Sequence, residues 1–394
     1  MTYDFDTVIE RRHTDSVKWD TRPAGLEEVE LLPLWVADMD FACPPAVAES
    51  LRKRAEHPVF GYSERPASYY RAVQEWMQKR FDWPIRPDWI AVTPGVVPAL
   101  NLAIQAFSAN AEGVVIQPPV YYPFISSITN NDRRVIHNPL KLEDNRYVMD
   151  FDGLEKAIDS GTRLLVLCHP HNPVGRVWKS GELLELSEIC KRHDLLIVSD
   201  EIHADLIMPG FRHHPLACLC PQLADRIITC TSPSKTFNIA GLQVANIIIP
   251  NPDLRQRFLQ QAWKCGTHLS NPFAIIAAET AYRHGEAWLQ ELLTYLFANY
   301  SYVKDYLAGH LPRIRPVSLE GTYLLWLDFR ELGMTDQALQ NKLLHEARLW
   351  LDPGPIFGPG GAGFLRLNLA CPRSRLQEAM GRLSHALASE YLRN

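Results

Sequence analysis

The chain is 394 residues long, 46% hydrophobic and 22% charged, with a formal net charge of −5. That is enough apolar material for a large soluble domain with a smaller companion. It lacks the basic surplus needed to track a nucleic-acid backbone, and no apolar run is long enough to cross a bilayer. The acidic start Met1-Thr2-Tyr3-Asp4-Phe5-Asp6 differs from the basic start of a signal peptide and points to the cytoplasm. The eight cysteines are scattered without paired metal-ligand spacing, so free, mostly buried thiols and no metal site are expected.

In chain order, residues 1–45 are Pro-punctuated and weakly periodic, too short for a domain of their own and expected to pack against the C-terminal unit. From about 89 to 250, short β-branched runs alternate with amphipathic stretches, the pattern of βαβ units and a largely parallel sheet. Strands are expected at Trp89–Thr93, Gly113–Gln117, Arg163–Cys168, Leu195–Asp200, Ile227–Thr231 and Val244–Ile249. The fold class is therefore α/β, with a large domain over residues 46–285. Ligands of such sheets bind beyond the carboxyl ends of the strands, so the turns there are the place to look for chemistry.

After the first strand, Thr93-Pro94-Gly95-Val96-Val97-Pro98 opens a helix whose free N–H groups suit a phosphate; an ordinary βα turn reads the same way. Gln117-Pro118-Pro119-Val120-Tyr121-Tyr122-Pro123 sets two tyrosines in a rigid turn, able to stack on a planar ring or simply to pack. In Cys168-His169-Pro170-His171-Asn172-Pro173, the Asn172 amide is placed to donate to a ring oxygen. Asp200 ends an apolar run and needs a cationic partner to stay ionised; a protonated pyridine nitrogen would supply one, although a strand-end Asp can also cap a helix. Three residues on, His203 can buttress it or approach the same ring oxygen.

Thr231-Ser232-Pro233-Ser234-Lys235-Thr236 follows the fifth run. A lysine at the mouth of a parallel sheet, flanked by the Ser232 and Ser234 hydroxyls, suits a Schiff base with a phosphorylated aldehyde. Ser-x-x-Lys alone also occurs in serine hydrolases. A helix is expected over about 286–312, leading into a compact α+β unit that ends at 394. That unit holds a strand over Tyr323–Phe329, a helix over Asp336–Arg348, a Gly-rich stretch at 358–363 and a strand over Phe364–Leu369. Arg366 in the last strand suits a substrate carboxylate, or an internal ion pair.

Taken together and in order, these motifs resemble the fold-type I pyridoxal-phosphate enzymes, the aspartate aminotransferase superfamily, over nearly the whole chain. The segments Leu34–Phe41, Ala91–Pro98, Pro119–Phe124, Ser199–Gly210 and Ser232–Gly241 resemble its cystalysin and cystathionine β-lyase subgroup. The resemblance implies a large cofactor-binding domain and a smaller domain built from the N-terminal segment and the C-terminal region. It implies pyridoxal 5'-phosphate on Lys235, Asp200 at the pyridine nitrogen, Asn172 at the phenolic oxygen and Tyr121 stacked on the ring. The phosphate would be held by the Val96 and Val97 amides, Ser232 and Ser234. Tyr62 would reach that phosphate from the neighbouring subunit of a homodimer, and Arg366 would take the substrate carboxylate.

His203 stands where many aminotransferases carry a tyrosine, and Gln243 where many carry a phosphate-binding cation; both fit the lyase subgroup. The implied activity is carbon–sulfur β-elimination on a sulfur amino acid, with Lys235 as proton carrier and Tyr122 or Lys235 as the acid for the leaving sulfur. An aminotransferase, or a cofactor-bearing regulator acting through its surface, remains open from the sequence.

Overall fold

The computed structural model describes residues 2–391. Among these, seven strands form one sheet: β1 (Ile90–Thr93), β2 (Gly113–Ile116), β3 (Arg134–His137), β4 (Thr162–Cys168), β5 (Leu196–Asp200), β6 (Ile227–Thr231) and β7 (Ala245–Ile248). Their spatial order is β1-β7-β6-β5-β4-β2-β3. The pairs β2–β3, β2–β4, β4–β5 and β5–β6 are parallel. Strand β7 is antiparallel to both of its neighbours, so the sheet is mixed rather than uniformly parallel. A parallel neighbour needs a long crossover, and the chain returns from β6 to β7 without one.

The central strands of the sheet are buried on both faces because apolar residues occupy most of their positions and successive side chains point to opposite sides. Val114, Ile116, Leu164, Val166 and Ile228 join the core under the Val96–Phe107 helix. Val115, Leu165, Leu167, Ile197 and Ile227 join the core on the other face, with Trp178, Leu183 and Leu186. Strand β3 had no clear signature in the sequence. It lies at the sheet edge with only Ile136 of its four residues buried, so it shows neither an apolar run nor strict alternation.

A second, antiparallel sheet contains β8 (Arg315–Pro316), β9 (Leu324–Asp328), β10 (Asp352–Pro353) and β11 (Phe364–Asn368), in the order β8-β9-β11-β10. Against it lie the helices Glu286–His310 and Arg373–Tyr391. The helix expected to run to Arg348 is α-helical over Asp336–Asn341 and continues as a π-helix over Lys342–Ala347.

The N-terminal segment reaches the C-terminal region in two ways. Leu32–Pro33 pair in parallel with Leu349–Trp350, and the N–H of Asn368 donates to Leu34 O at 2.9 Å. The two sheets are tied together through Glu320. Its carboxylate accepts from Arg146 (2.6 Å), Arg176 (3.0 Å) and the N–H of Val177 (2.9 Å).

Candidate active site

The carboxyl ends of β4, β5 and β6 and the start of the Val96–Phe107 helix enclose a cavity of about 190 Å³. Lys235 enters it from the one-turn helix Pro233–Thr236. Ser232 caps that turn, accepting from the N–H of Ser234 at 3.1 Å. On the far side of the turn, Thr236 donates to Asp205 at 3.0 Å, and Phe237 is wholly buried beside Trp76 and Trp288. The lysine stem is thus held from behind, and its Nζ donates to Ala37 O at 2.5 Å. Burial, reinforced by the Arg366 cation, pulls the amine down to about 8 against the opposing pull of Asp38 and Asp200.

Asp200 ends β5 at the centre of the sheet, in register with Cys168 on β4 and Cys230 on β6. Its Oδ1 accepts the N–H of Ile202 at 3.1 Å. Burial raises its carboxyl to about 7, with Glu201 adding to the rise, while the Ile202 hydrogen bond and the Lys235 charge oppose it. His203 lines the cavity from the turn that follows β5, not from a helix. Burial, with Lys235 and Arg366 nearby, lowers it to about 3, so its imidazole is neutral.

Asn172 accepts from Arg366 Nη1 through Oδ1 at 2.8 Å, which leaves the NH2 end of the amide to donate elsewhere. Arg366 also donates to Trp35 O at 3.0 Å and pairs with Asp352. The internal ion pair and a substrate role therefore coexist as readings of this one arginine. Tyr121 lines the cavity, and burial raises its hydroxyl well above the ordinary tyrosine value. Tyr122 stands next to it, its ring 5.9 Å from Phe357. Burial raises its hydroxyl too, with Asp352 assisting and Arg366 opposing.

At the other end, Gly95 caps the Val96–Phe107 helix with φ 151°, a conformation that disfavours any residue with a Cβ. The first N–H groups of the helix, at Val96 and Val97, have no carbonyl of their own helix to bond, and both residues line the cavity with Ser234.

Of the residues singled out in the sequence, Val96, Val97, Tyr121, Asn172, Asp200, His203, Ser234 and Lys235 line one cavity. Arg366 lies immediately behind Asn172. Ser232 is not among the lining residues, and its hydroxyl also bonds Val244 O at 2.6 Å. Tyr62 is 95% exposed and Gln243 is exposed at φ 58°; neither joins the cavity of its own chain. Sequence reasoning missed the Ala37 carbonyl, Tyr323, whose hydroxyl donates to that carbonyl at 3.1 Å, and Asp352.

The donor set fits a phosphorylated pyridine aldehyde. An amine and a carboxylate line the same cavity, a helix N-terminus supplies anion-binding N–H groups, and a tyrosine ring forms one wall. The buried Nδ1 of His203 has no hydrogen-bond partner, as expected of a polar group waiting for a ligand.

The family model for aminotransferase class I and II matches residues 29–383. The chain is 44% identical over 385 residues to cystathionine beta-lyase PatB of Bacillus subtilis, covering 98% of this chain and 100% of that protein. Its structure is similar to that of pyridoxal-phosphate-containing cystalysin from Treponema denticola, with a TM-score of 0.95, 42% identity and coverage of 99% and 100%. It is also similar to the PLP-bound C-S lyase of Staphylococcus hominis, with a TM-score of 0.91, 31% identity and coverage of 98% of each chain. The chain belongs to the aminotransferase class I and II family of fold-type I pyridoxal-phosphate enzymes, within the subgroup of cystalysin and the cystathionine β-lyases.

Proposed function

We propose that the chain is a pyridoxal-phosphate-dependent carbon–sulfur β-lyase. It acts on L-cystathionine, L-cysteine or a related S-substituted cysteine, consuming one water and releasing a thiol, pyruvate and ammonia. The observation that carries this reading is the convergence of Lys235, Asp200, Asn172 and Tyr121 on one cavity, in a chain 44% identical over nearly its full length to a cystathionine beta-lyase. Relatives similar over nearly the full length of the chain are named for C–S lysis.

When bound, pyridoxal phosphate supplies an aldehyde for amino groups and a ring that accepts the electron pair released at the substrate α-carbon. Lys235 would hold it through its amine and, when free, would take the substrate α-proton on Nζ; an amine near 8 is well placed for this at neutral pH. Asp200 would hold the pyridine nitrogen and, paired with its positive charge, stay ionised. Asn172 would donate its free NH2 to the phenolic oxygen with His203 beside it, and Tyr121 would stack on the ring. The Val96 and Val97 amides and Ser234 would hold the phosphate, joined by Tyr62 of the partner subunit in a homodimer; Ser232, expected among them, instead gives its hydroxyl to Val244 O and caps the lysine turn.

Arg366 binds the substrate carboxylate. Its fork already faces Asn172, and its Nε has no hydrogen-bond partner. Tyr122, kept protonated by burial, or Lys235 delivers the proton to the departing sulfur.

The segment 1–45, the cofactor domain 46–285 and the C-terminal domain 286–394 divide these tasks in a cytoplasmic enzyme. Replacing Lys235 by Ala tests the reading. The variant should lose both the visible absorption of bound cofactor and pyruvate release from cystathionine. A variant that keeps both would refute the assignment of Lys235.

A further inference from the structure

The ε-amine of Lys235 and the hydroxyl of Tyr323 both donate to a single oxygen, Ala37 O, at 2.5 and 3.1 Å. A carbonyl oxygen has two lone pairs, so these two donors fill it. The carbonyl cannot swing away, because its neighbours are fixed. Val36 O and Asp38 O accept from the Asn368 side chain at 2.7 and 2.8 Å, and Trp35 O accepts from Arg366.

Tyr323 is 1% exposed. Its hydroxyl is raised far above the ordinary tyrosine value, chiefly by burial, so it remains a donor at every working pH. Packing alone would be met by phenylalanine. A buried hydroxyl whose hydrogen-bond acceptor is also that of the active-site lysine calls for a second account.

We propose that Tyr323 is a positioning residue for Lys235: by sharing Ala37 O, its hydroxyl limits how strongly that carbonyl holds the ammonium form and so sets the pH at which the amine is free to take a proton. The proposal rests on the reading of Lys235 as proton carrier. The groups facing the amine are Asp38 from the N-terminal segment, Asp200 from β5, His203 from the following turn and Arg366 from β11. Asp38 and Asp200 favour the ammonium form, and Arg366 disfavours it. The Tyr323 O–H dipole turns its positive end toward the oxygen the ammonium shares, and therefore acts in the same sense as Arg366. Removing the hydroxyl leaves the carbonyl wholly to Lys235 and makes protonation easier.

The test compares wild type with Tyr323→Phe, using full-length protein freed of cofactor. Competitive labelling with acetic anhydride across pH, read at Lys235 by mass spectrometry, gives the midpoint of its titration. Circular dichroism checks the fold. The expected result is a midpoint raised by about half a pH unit. In the reconstituted enzyme, the acid limb of the kcat profile should rise by the same amount, with KM within about twofold of wild type. An unchanged or lowered midpoint in a folded variant overturns the proposal.

Should Tyr323→Phe not fold, 3-fluorotyrosine placed at position 323 keeps the ring and strengthens the donor. It should lower the midpoint, and an unchanged or raised one overturns the proposal equally. A Lys235→Ala enzyme that still eliminates would instead sink the proton-carrier reading, while the labelling midpoint of Lys235 would remain interpretable by itself.

Discussion

Asp200 and Lys235 are drawn toward neutrality from opposite sides, one to about 7 and the other to about 8, and burial is the largest cause of both shifts. In the chain without cofactor, Asp200 therefore holds a proton up to about pH 7. Pairing with a pyridinium nitrogen must expel that proton, so binding is opposed below pH 7 and unopposed above it. Apparent affinity for pyridoxal phosphate, followed by visible absorbance, should rise between pH 6 and 7 by about fivefold from Asp200 alone, and go on rising toward pH 8 as Lys235 loses its proton. The protonation of Lys235 opposes binding in the same direction. Asp200→Asn should flatten the Asp200 part of this rise, leaving only the contribution centred near 8. A slope unchanged in that variant would remove Asp200 from the cofactor nitrogen.

These residues were legible because Asp200 ends a strand of an α/β sheet and Lys235 lies in the turn that follows another, where side chains converge. Ala37 and Tyr323 were not. The Ala37 contribution is a backbone carbonyl with no residue-type signature, 198 positions from Lys235 in sequence. Tyr323 sits at the head of an apolar strand, where an aromatic residue reads as core. Asp352 was equally silent, because the strand it belongs to is two residues long.

At the scale of elements, the ends of secondary structures position the chemistry. The Pro-punctuated N-terminal stretch read as a poorly periodic segment. Yet Leu34 to Asp40 runs between β11 and the lysine turn, giving backbone carbonyls to Arg366, Asn368 and Lys235. The anchor Asp40 accepts from Lys18 at 2.8 Å, Arg11 at 2.8 Å and the Trp19 indole at 2.8 Å. Such pairings leave no local periodicity, which is why the segment's contacts could not be read from the sequence.

Glu320 has the equivalent task between the two sheets. Glu320→Ala leaves Arg176, a wholly buried cation, with its Glu182 contact but without Glu320. The expected loss is about 3 kcal/mol of stability, measured by denaturant unfolding. A loss below about 0.5 kcal/mol, the size of an exposed pair, would mean that this link does not bind the sheets together.

For the whole molecule, the exposed Tyr62 distinguishes a site completed within one chain from one completed across a dimer. Tyr62→Ala and Lys235→Ala proteins should each have little activity. If the proposed homodimer forms, the two proteins dissociated, mixed and reassembled would give heterodimers in which one of the two sites has an intact Lys235 with an intact Tyr62 of the partner subunit. Random pairing should therefore restore about a quarter of the native sites. No recovery in mixtures shown to exchange subunits would place Tyr62 outside the neighbouring site.

The overall architecture was legible from the alternation of β-branched runs with helical stretches. The antiparallel direction of β7 was not, because strand direction is set by the crossover and not by strand composition.

The most direct test of β-lyase activity is a partition measurement on the purified, cofactor-loaded protein. L-Cystathionine is supplied together with an α-keto acid acceptor, and pyruvate, free thiol, ammonia and newly aminated acceptor are quantified in one sample. The expected result is pyruvate, thiol and ammonia in equal amounts, with aminated acceptor at a small fraction of them. Amination of the acceptor without pyruvate would contradict the assignment and make the chain an aminotransferase.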